Sequence, residues 1–564
     1  MSIYEKTGQK ASVTEGQRAL ELFTDRHRVL RLFLSYLNDS PPRDKILFLH
    51  GDGGNGKSLL LRFLKEYCCR SFDAKEWQRL QSVTDAELVD SIKQASSSSH
   101  VPAAYLDFKM EPIGEDRPLE GFSAIMMLRR ALSSYKLHFP VLRFALITYL
   151  KKTNRDSKEH LQQIFPPEEL DLVIAIADAI TSTSAGSVMK LLWDIANKQF
   201  DIDYHYQKRG IREEKITEIQ NIGLPSDLAR ELPRFFAEDL NAAMSLPGAP
   251  KRVVLLFDSH EAFWGQNRDL SDSLYFERDE WFRHLLSRLD LQKGIVVVVA
   301  QREPPRWGKA DYYPIPNEFL DMQVVGHLSQ TDAQQYLDRA GISNPETRQS
   351  LITYASIQAG EVHPLYIGLG VDLAAAVQQG GREYISPEGL ENLPSWENKG
   401  RFLVNTLLRY TGKDLDHAVR GLAATRAFNR EIYAELSNTL GYANSDQNFD
   451  ALTRLSFVWP IQSYGGGWYR IHDLLRTILS KREDEITSHA DNLLRITDVT
   501  LESYYRAKAE AGEPLLLAEA IYHANRQDWE RGLEEWKNAF IRAINDDNLS
   551  MCSALLDVRG DLEV

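Results

Sequence analysis

Cysteine is scarce in this chain, with Cys68, Cys69 and Cys552 the only three among 564 residues. A disulfide framework is excluded, and so is a zinc-spaced Cys/His set. Cys68 and Cys69 fall near the end of an amphipathic stretch and read as packing residues rather than a redox pair. Long apolar runs are also missing. No stretch approaches the roughly 18 residues needed to cross a bilayer, and the opening "MSIYEKTGQK" lacks the apolar core of a secretory signal. A cytoplasmic address is the expectation, with no membrane partner. Excess positive charge is absent too: 66 Lys and Arg against 80 Asp and Glu leave a formal charge of −14. That balance opposes extensive contact with a nucleic-acid backbone and leaves room only for a local basic face. Neither H-E-x-x-H nor G-x-S-x-G occurs, which removes the two commonest hydrolase signatures.

What is present begins with ordinary core-forming capacity, 43% hydrophobic residues, in a length that implies roughly three to four domains. The most informative stretch is "ILFLHGDGGNGKSLLLRFL", from Ile46 to Leu64. Ile46 to Leu49 form a short apolar run after a Pro-Pro pair, as expected of a buried parallel strand. After Ser58 the leucines and Phe63 interleave with Arg62 and Lys65 at the density of a helix with a wide buried face. Between them Gly51, Gly56, Lys57 and Ser58 satisfy G-x-x-x-x-G-K-[ST]. Gly53 and Gly54 add freedom to take positive φ and turn consecutive N–H groups inward. Such a bend favours phosphate, because its amides and the following helix N-terminus attract negative charge. Lys57 is placed to reach β- and γ-phosphates and the Ser58 hydroxyl to ligate Mg²⁺. The nucleotide-contacting set runs through Gly51, Gly53, Gly54, Asn55, Gly56, Lys57, Ser58 and Leu59.

A phosphate loop hydrolyses nothing by itself. In "KRVVLLFDSHEAFWG" the apolar run Val253 to Phe257 ends in Asp258, as for a central strand with an acid at its carboxyl edge holding the Mg²⁺ shell. Glu261 is placed either to polarise an attacking water or to cap the next turn, with His260 beside it as a bystander. A third apolar strand, Gly294 to Ala300, ends at Gln301 and Arg302 before Pro304-Pro305. Arg302 is either a γ-phosphate sensor or a surface arginine. "AAYLDF" from Ala103 to Phe108 and "MQVVGHL" near Val324 read as further strands. Together these predict a doubly wound α/β core.

The order of P-loop, "VVLLFDSHE", "VVVVAQREPP" and "AGEVHPLYIGLG" resembles the STAND class of signal-transduction ATPases, which includes NB-ARC and NACHT proteins. Ahead of the loop, "FTDRHRVLRLF" is similar to the family's nucleotide-edge motif, with Asp25 in the usual glycine place and Arg26 kept. Gly360 to Leu365 is similar to the G-x-P-L motif that opens a helical lid, with longer spacing; Pro364 is its proline. "FVWPIQSYGGGWYRIHDLLRTIL" reads as a hairpin after helices, a winged-helix pattern, and "IHD" (Ile471, His472, Asp473) looks like the family's M-H-D triplet.

The resemblance implies an α/β P-loop NTPase followed by a helical lid, a winged helix and an α-helical segment. Its boundaries are 1–40 for an amino-terminal segment and edge helix, 41–325 for the nucleotide-binding domain, 326–398 for the lid, 399–485 for the winged helix and 486–564 for a TPR-like region. A mostly helical insertion at about 122–250 separates Ser58 from Asp258, as an interaction surface or a regulatory clamp. ATP or ADP with Mg²⁺ would bind at Arg26, the loop residues, Pro364 and His472, with Lys57, Asp258, Glu261 and Arg302 serving a slow hydrolysis. The implied protein is a switch that assembles into a homo-oligomer when a protein or ligand trigger acts, as a bacterial regulator or antiphage sensor does. A motor or loader of the AAA+ kind, acting on DNA or protein, and a winged-helix transcription regulator are the alternatives.

Overall fold

The computed structural model describes residues 16–96, 99–108, 121–133, 137–154, 212–264, 272–358, 360–379, 413–453, 457–460, 467–471, 489–546 and 548–559, with a few isolated positions besides. At its centre lies a five-stranded sheet built from β1 (Ile46–His50), β2 (Ala103–Asp107), β3 (Val253–Asp258), β4 (Ile295–Gln301) and β5 (Leu320–Val324). The order is β2-β3-β4-β1-β5, with every pairing parallel. Strand β4 therefore separates the strand that feeds the glycine loop from the strand that ends in Asp258. The α/β expectation holds at this level.

The alternation along each strand assigns its faces. Leu47, Leu49, Val254, Leu256, Val296, Val298 and Ala300 join a core with Leu60, Leu61 and Phe63 of the helix after the loop and with Val29, Leu30 and Phe33 of helix His27–Asn38. Phe48, Val253, Leu255, Phe257, Val297 and Val299 face the other way. There they pack with residues of helices Gly121–Ser133, Pro225–Ala243 and Glu280–Arg288. Covered on both sides, β3 and β4 are buried at every position, which is why they read as unbroken apolar runs.

That second layer is drawn in part from the stretch expected as a helical insertion. Its helices Gly121–Ser133 and Pro225–Ala243 are one cover of the sheet itself, sharing a single core with β3 and β4. Apolar periodicity could show that they are helices but not what they lie on. Pro233 sits inside helix Pro225–Ala243. The "TSTSAGS" connection lies outside the described residues.

Beyond the sheet, β6 (Leu328–Ser329), β7 (Ser356–Gln358) and β8 (Glu361–Val362) form a small antiparallel sheet in the order β6-β8-β7. It fixes the start of helix Pro364–Gln379. A hairpin of β9 (Val458–Pro460) and β10 (Tyr469–Ile471) follows helices Lys413–Leu422, Arg430–Leu440 and Asp446–Thr453. The last described elements are helices His489–Glu510, Leu517–Gln527, Trp529–Asn545 and Leu549–Arg559. Asp528 ends one of these and caps the next by accepting the Arg531 N–H at 3.1 Å. No helix among the described residues is long and apolar enough to cross a membrane.

Candidate functional site

The loop from Gly51 to Gly56 leaves β1 and enters helix Lys57–Phe63. Its shape requires glycine at two places for different reasons. Gly51 has φ +154°, and a side-chain carbon there would lie 2.2 Å from the Val325 carbonyl oxygen. Gly56 has open space around it, but at φ +79° it forms the left-handed cap of the helix. The Gly51 N–H donates to Arg302 O at 3.1 Å and the Asn55 side-chain amide to Val325 O at 3.0 Å, so the loop is tied to the ends of β4 and β5. Gly51→Ala is expected to lower stability by roughly 2 kcal/mol or more. An unchanged melting temperature would show that the loop is not seated as described.

Lys57 is buried, and its Nζ donates to Gly51 O at 2.5 Å and Asp52 O at 2.8 Å. The ammonium thus rests on loop carbonyls. Ser58 follows it, and its side chain lies near enough to Asp258 to favour the charged carboxylate. Leu59 lies in the first turn of the helix.

Asp258 ends β3 on the face that meets this helix, the face of Val254 and Leu256. In the parallel register Asp107 of β2 lies directly beside it. Asp258 is 2% exposed and accepts from the Tyr105 hydroxyl at 2.8 Å and the Ser259 N–H at 2.8 Å. Its pKa is pushed up to about 6, first by burial and then by the charge of Asp107. Two carboxylates beside a serine hydroxyl on one sheet edge are a donor set suited to a hard cation such as Mg²⁺. Asp107 and Tyr105 were not singled out from the sequence. The signal was the acid closing "AAYLDF", whose meaning depends on β2 pairing with β3.

Glu261 lies in the short helical turn His260–Phe263, and its carboxylate meets the Arg302 Nε at 3.2 Å. The Arg302 guanidinium carbon is 3.7 Å from where a side-chain carbon on Gly53 would be. The two candidates therefore stand together at the loop rim. Glu261 reaches it from β3 and Arg302 from β4.

His260 is not a bystander. It is fully buried, with Nδ1 2.5 Å from Gln301 Oε1 and Nε2 3.2 Å from Asp279 Oδ2. Asp279 also accepts from Arg283 Nε at 2.9 Å and Trp307 Nε1 at 2.8 Å. This network joins the residues just before Glu261 and Arg302, so it sets the spacing between them.

Arg26 donates to Asn55 O at 2.7 Å and pairs with Asp25 at 3.0 Å. The structure thus places it on the loop backbone. Asp25 itself has φ +65°. It occupies the left-handed region that glycine adopts freely and that aspartate tolerates. Asp25, His27 and Asp332 bring ligand atoms within 4.8 Å of one another, but Asp25 already holds Arg26.

Pro364 opens helix Pro364–Gln379, half-buried, and the residues on either side of it lie on the loop. A side-chain carbon on Gly54 would be 2.7 Å from His363 Cε1 and 3.7 Å from Leu365 Cβ. His472, the expected second lid contact, lies outside the described residues. The chain matches no protein-family model and no curated protein.

Proposed function

We propose that the protein is an ATP/ADP-dependent signal-transduction switch of the STAND class, with a slow, regulatory ATPase. The observation that carries this reading is convergence. A glycine-rich loop, an acid whose charge the neighbouring Ser58 favours, a glutamate–arginine pair at the loop's rim and the opening of helix Pro364–Gln379 all meet at Gly51 to Ser58. A generic glycine turn demands none of these partners.

In this reading Lys57 leaves the loop carbonyls for the β- and γ-phosphate oxygens. Ser58 and Asp258 hold the Mg²⁺ shell, Glu261 orients the attacking water and Arg302 reads the γ-phosphate. Mg²⁺, when bound, supplies neutralisation of phosphate charge. Pro364 and His472 close over ADP from the lid and the winged helix, and ATP shifts the population toward a form that assembles into a homo-oligomer. The trigger is a protein or ligand, and a cytoplasmic bacterial regulator or antiphage sensor is the proposed setting. Nucleic acid is a disfavoured partner.

The test is the nucleotide that copurifies, together with particle mass before and after ATP. ADP in a monomer that grows with ATP supports the switch. An empty chain in a constant ring favours the AAA+ motor. Lys57→Ala should weaken binding of a fluorescent ADP analogue about a hundredfold, a loss of about 2.7 kcal/mol. Unchanged affinity would place the nucleotide elsewhere.

A further inference from the structure

We propose that His363 is the residue through which the lid senses an occupied phosphate loop, its Nε2–H bonding a phosphate oxygen held over Gly54. The proposal rests on the nucleotide-switch reading above and adds to it the residue that couples phosphate to lid.

The ring's orientation follows from its neighbours. His363 Nδ1 accepts the Leu365 N–H at 3.2 Å, which assigns the proton of the neutral imidazole to Nε2. The edge that carries this proton faces the loop: a side-chain carbon on Gly54 would lie 2.7 Å from Cε1 and 3.3 Å from Nε2. Gly54 takes φ +84°, so glycine is required there twice over, by backbone shape and by the imidazole above it.

The ring is held firmly. It is 4% exposed and stacks on Tyr366 at 4.5 Å between centroids. It also lies 5.5 Å from His327, which pairs with Glu361 at 3.0 Å. The backbone N–H of His363 donates to Ala355 O at 2.8 Å and its carbonyl accepts from Ile367 at 3.1 Å. Such a ring leaves Gly54 only if the start of the lid helix leaves with it.

Consecutive glycines are thus flanked by donors from different parts of the protein. The Arg302 guanidinium, from the end of β4, stands at Gly53, and His363, from the lid, stands at Gly54. A phosphate over this pair is reached from both sides. By linkage, whatever nucleotide contributes to lid closure through His363, lid closure contributes equally to nucleotide affinity.

The experiment is backbone hydrogen exchange over residues 361–371, with and without ADP, in wild type, His363→Ala and His363→Gln. In wild type ADP should slow exchange there. His363→Ala should bind ADP about tenfold more weakly, the worth of one charge-assisted hydrogen bond, and lose the ADP-dependent slowing. Glutamine keeps a donor near the position of Nε2 and should restore part of both. A purely structural role would change exchange equally with and without ADP, so an undiminished ADP-dependent slowing in His363→Ala overturns the proposal. Should the alanine variant fold poorly, exchange of the His363 Cε1 hydrogen in wild type decides instead. Slowing by ADP supports the contact and an unchanged rate refutes it. A wild-type protein that binds no ADP fails at the earlier step and takes down the switch reading itself.

Discussion

Asp279→Ala is expected to destabilise the protein by about 3–5 kcal/mol, the usual cost of removing one partner from a buried ion pair. Asp279 is fully buried and accepts from Arg283 and Trp307, with His260 Nε2 3.2 Å from its Oδ2. Burial pushes its pKa up, but the hydrogen bonds and charge of His260 and Arg283 outweigh burial and hold the carboxyl below its ordinary value of 3.8. A depressed carboxylate contributes stability above its unfolded pKa and loses it as pH falls through the folded one. The loss in the variant should therefore be full at neutral pH and shrink only in strong acid. Without Asp279, Arg283 remains 1% exposed with, among the described residues, the carbonyls of Phe276 and Tyr312 to receive its charge. Chemical denaturation followed by tryptophan fluorescence measures this directly, since Trp307 belongs to the network. Asp279→Asn, which keeps a carbonyl acceptor, should lose less. A loss below about 1 kcal/mol for the alanine variant would mean that solvent reaches Arg283.

The second large effect has opposite signs for stability and for activity. Asp258→Asn should make the ligand-free protein more stable at pH 8, by roughly 3 kcal/mol at most for a shift of about two pKa units. It should also remove Mg²⁺-dependent nucleotide hydrolysis by about a hundredfold or more. The cause is the pairing of a buried carboxylate with Asp107 on the next strand. Because the folded pKa, about 6, lies above the ordinary 3.8, the native state binds the proton more tightly over that interval. The wild type then loses stability through this group as pH rises from about 4 to 6. The advantage of the asparagine variant should accordingly be full above pH 6 and vanish below about pH 4. Mg²⁺ with nucleotide should stabilise the wild type and not the variant. Melting temperatures at pH 4 and pH 8, with and without Mg²⁺ and ADP, test both signs. A variant less stable than wild type at pH 8 would contradict the account.

Gly51 to Ser58 could be identified without a structure because the loop's chemistry is local. Its glycines, lysine and serine are consecutive, and the flanking strand and helix announce themselves by apolar pattern. Asp258 was legible for a related reason, since a fully buried strand reads as an unbroken apolar run and its first acid marks the edge. Asp107, Tyr105 and His363 were not, although each stood in a stretch already read as strand or motif. Their roles come from residues far along the chain that share a strand pairing or a lid contact with them. His260 looked incidental because its partner Asp279 lies on another element. The helices before Asp258 were recognisable as helices, but their place over the sheet depended on which apolar face met which.

The sequence alone determined the parts whose physics is contained in a short window. These are the glycine-rich bend, the buried strands and the acid at the end of β3. Tertiary structure alone decided which of these parts became one site. The order β2-β3-β4-β1-β5 set Asp107 against Asp258, the His260–Asp279 network spaced Glu261 from Arg302, and the start of helix Pro364–Gln379 turned His363 onto Gly54. Periodicity reports which face of an element is apolar. It carries no information about which distant element will cover that face.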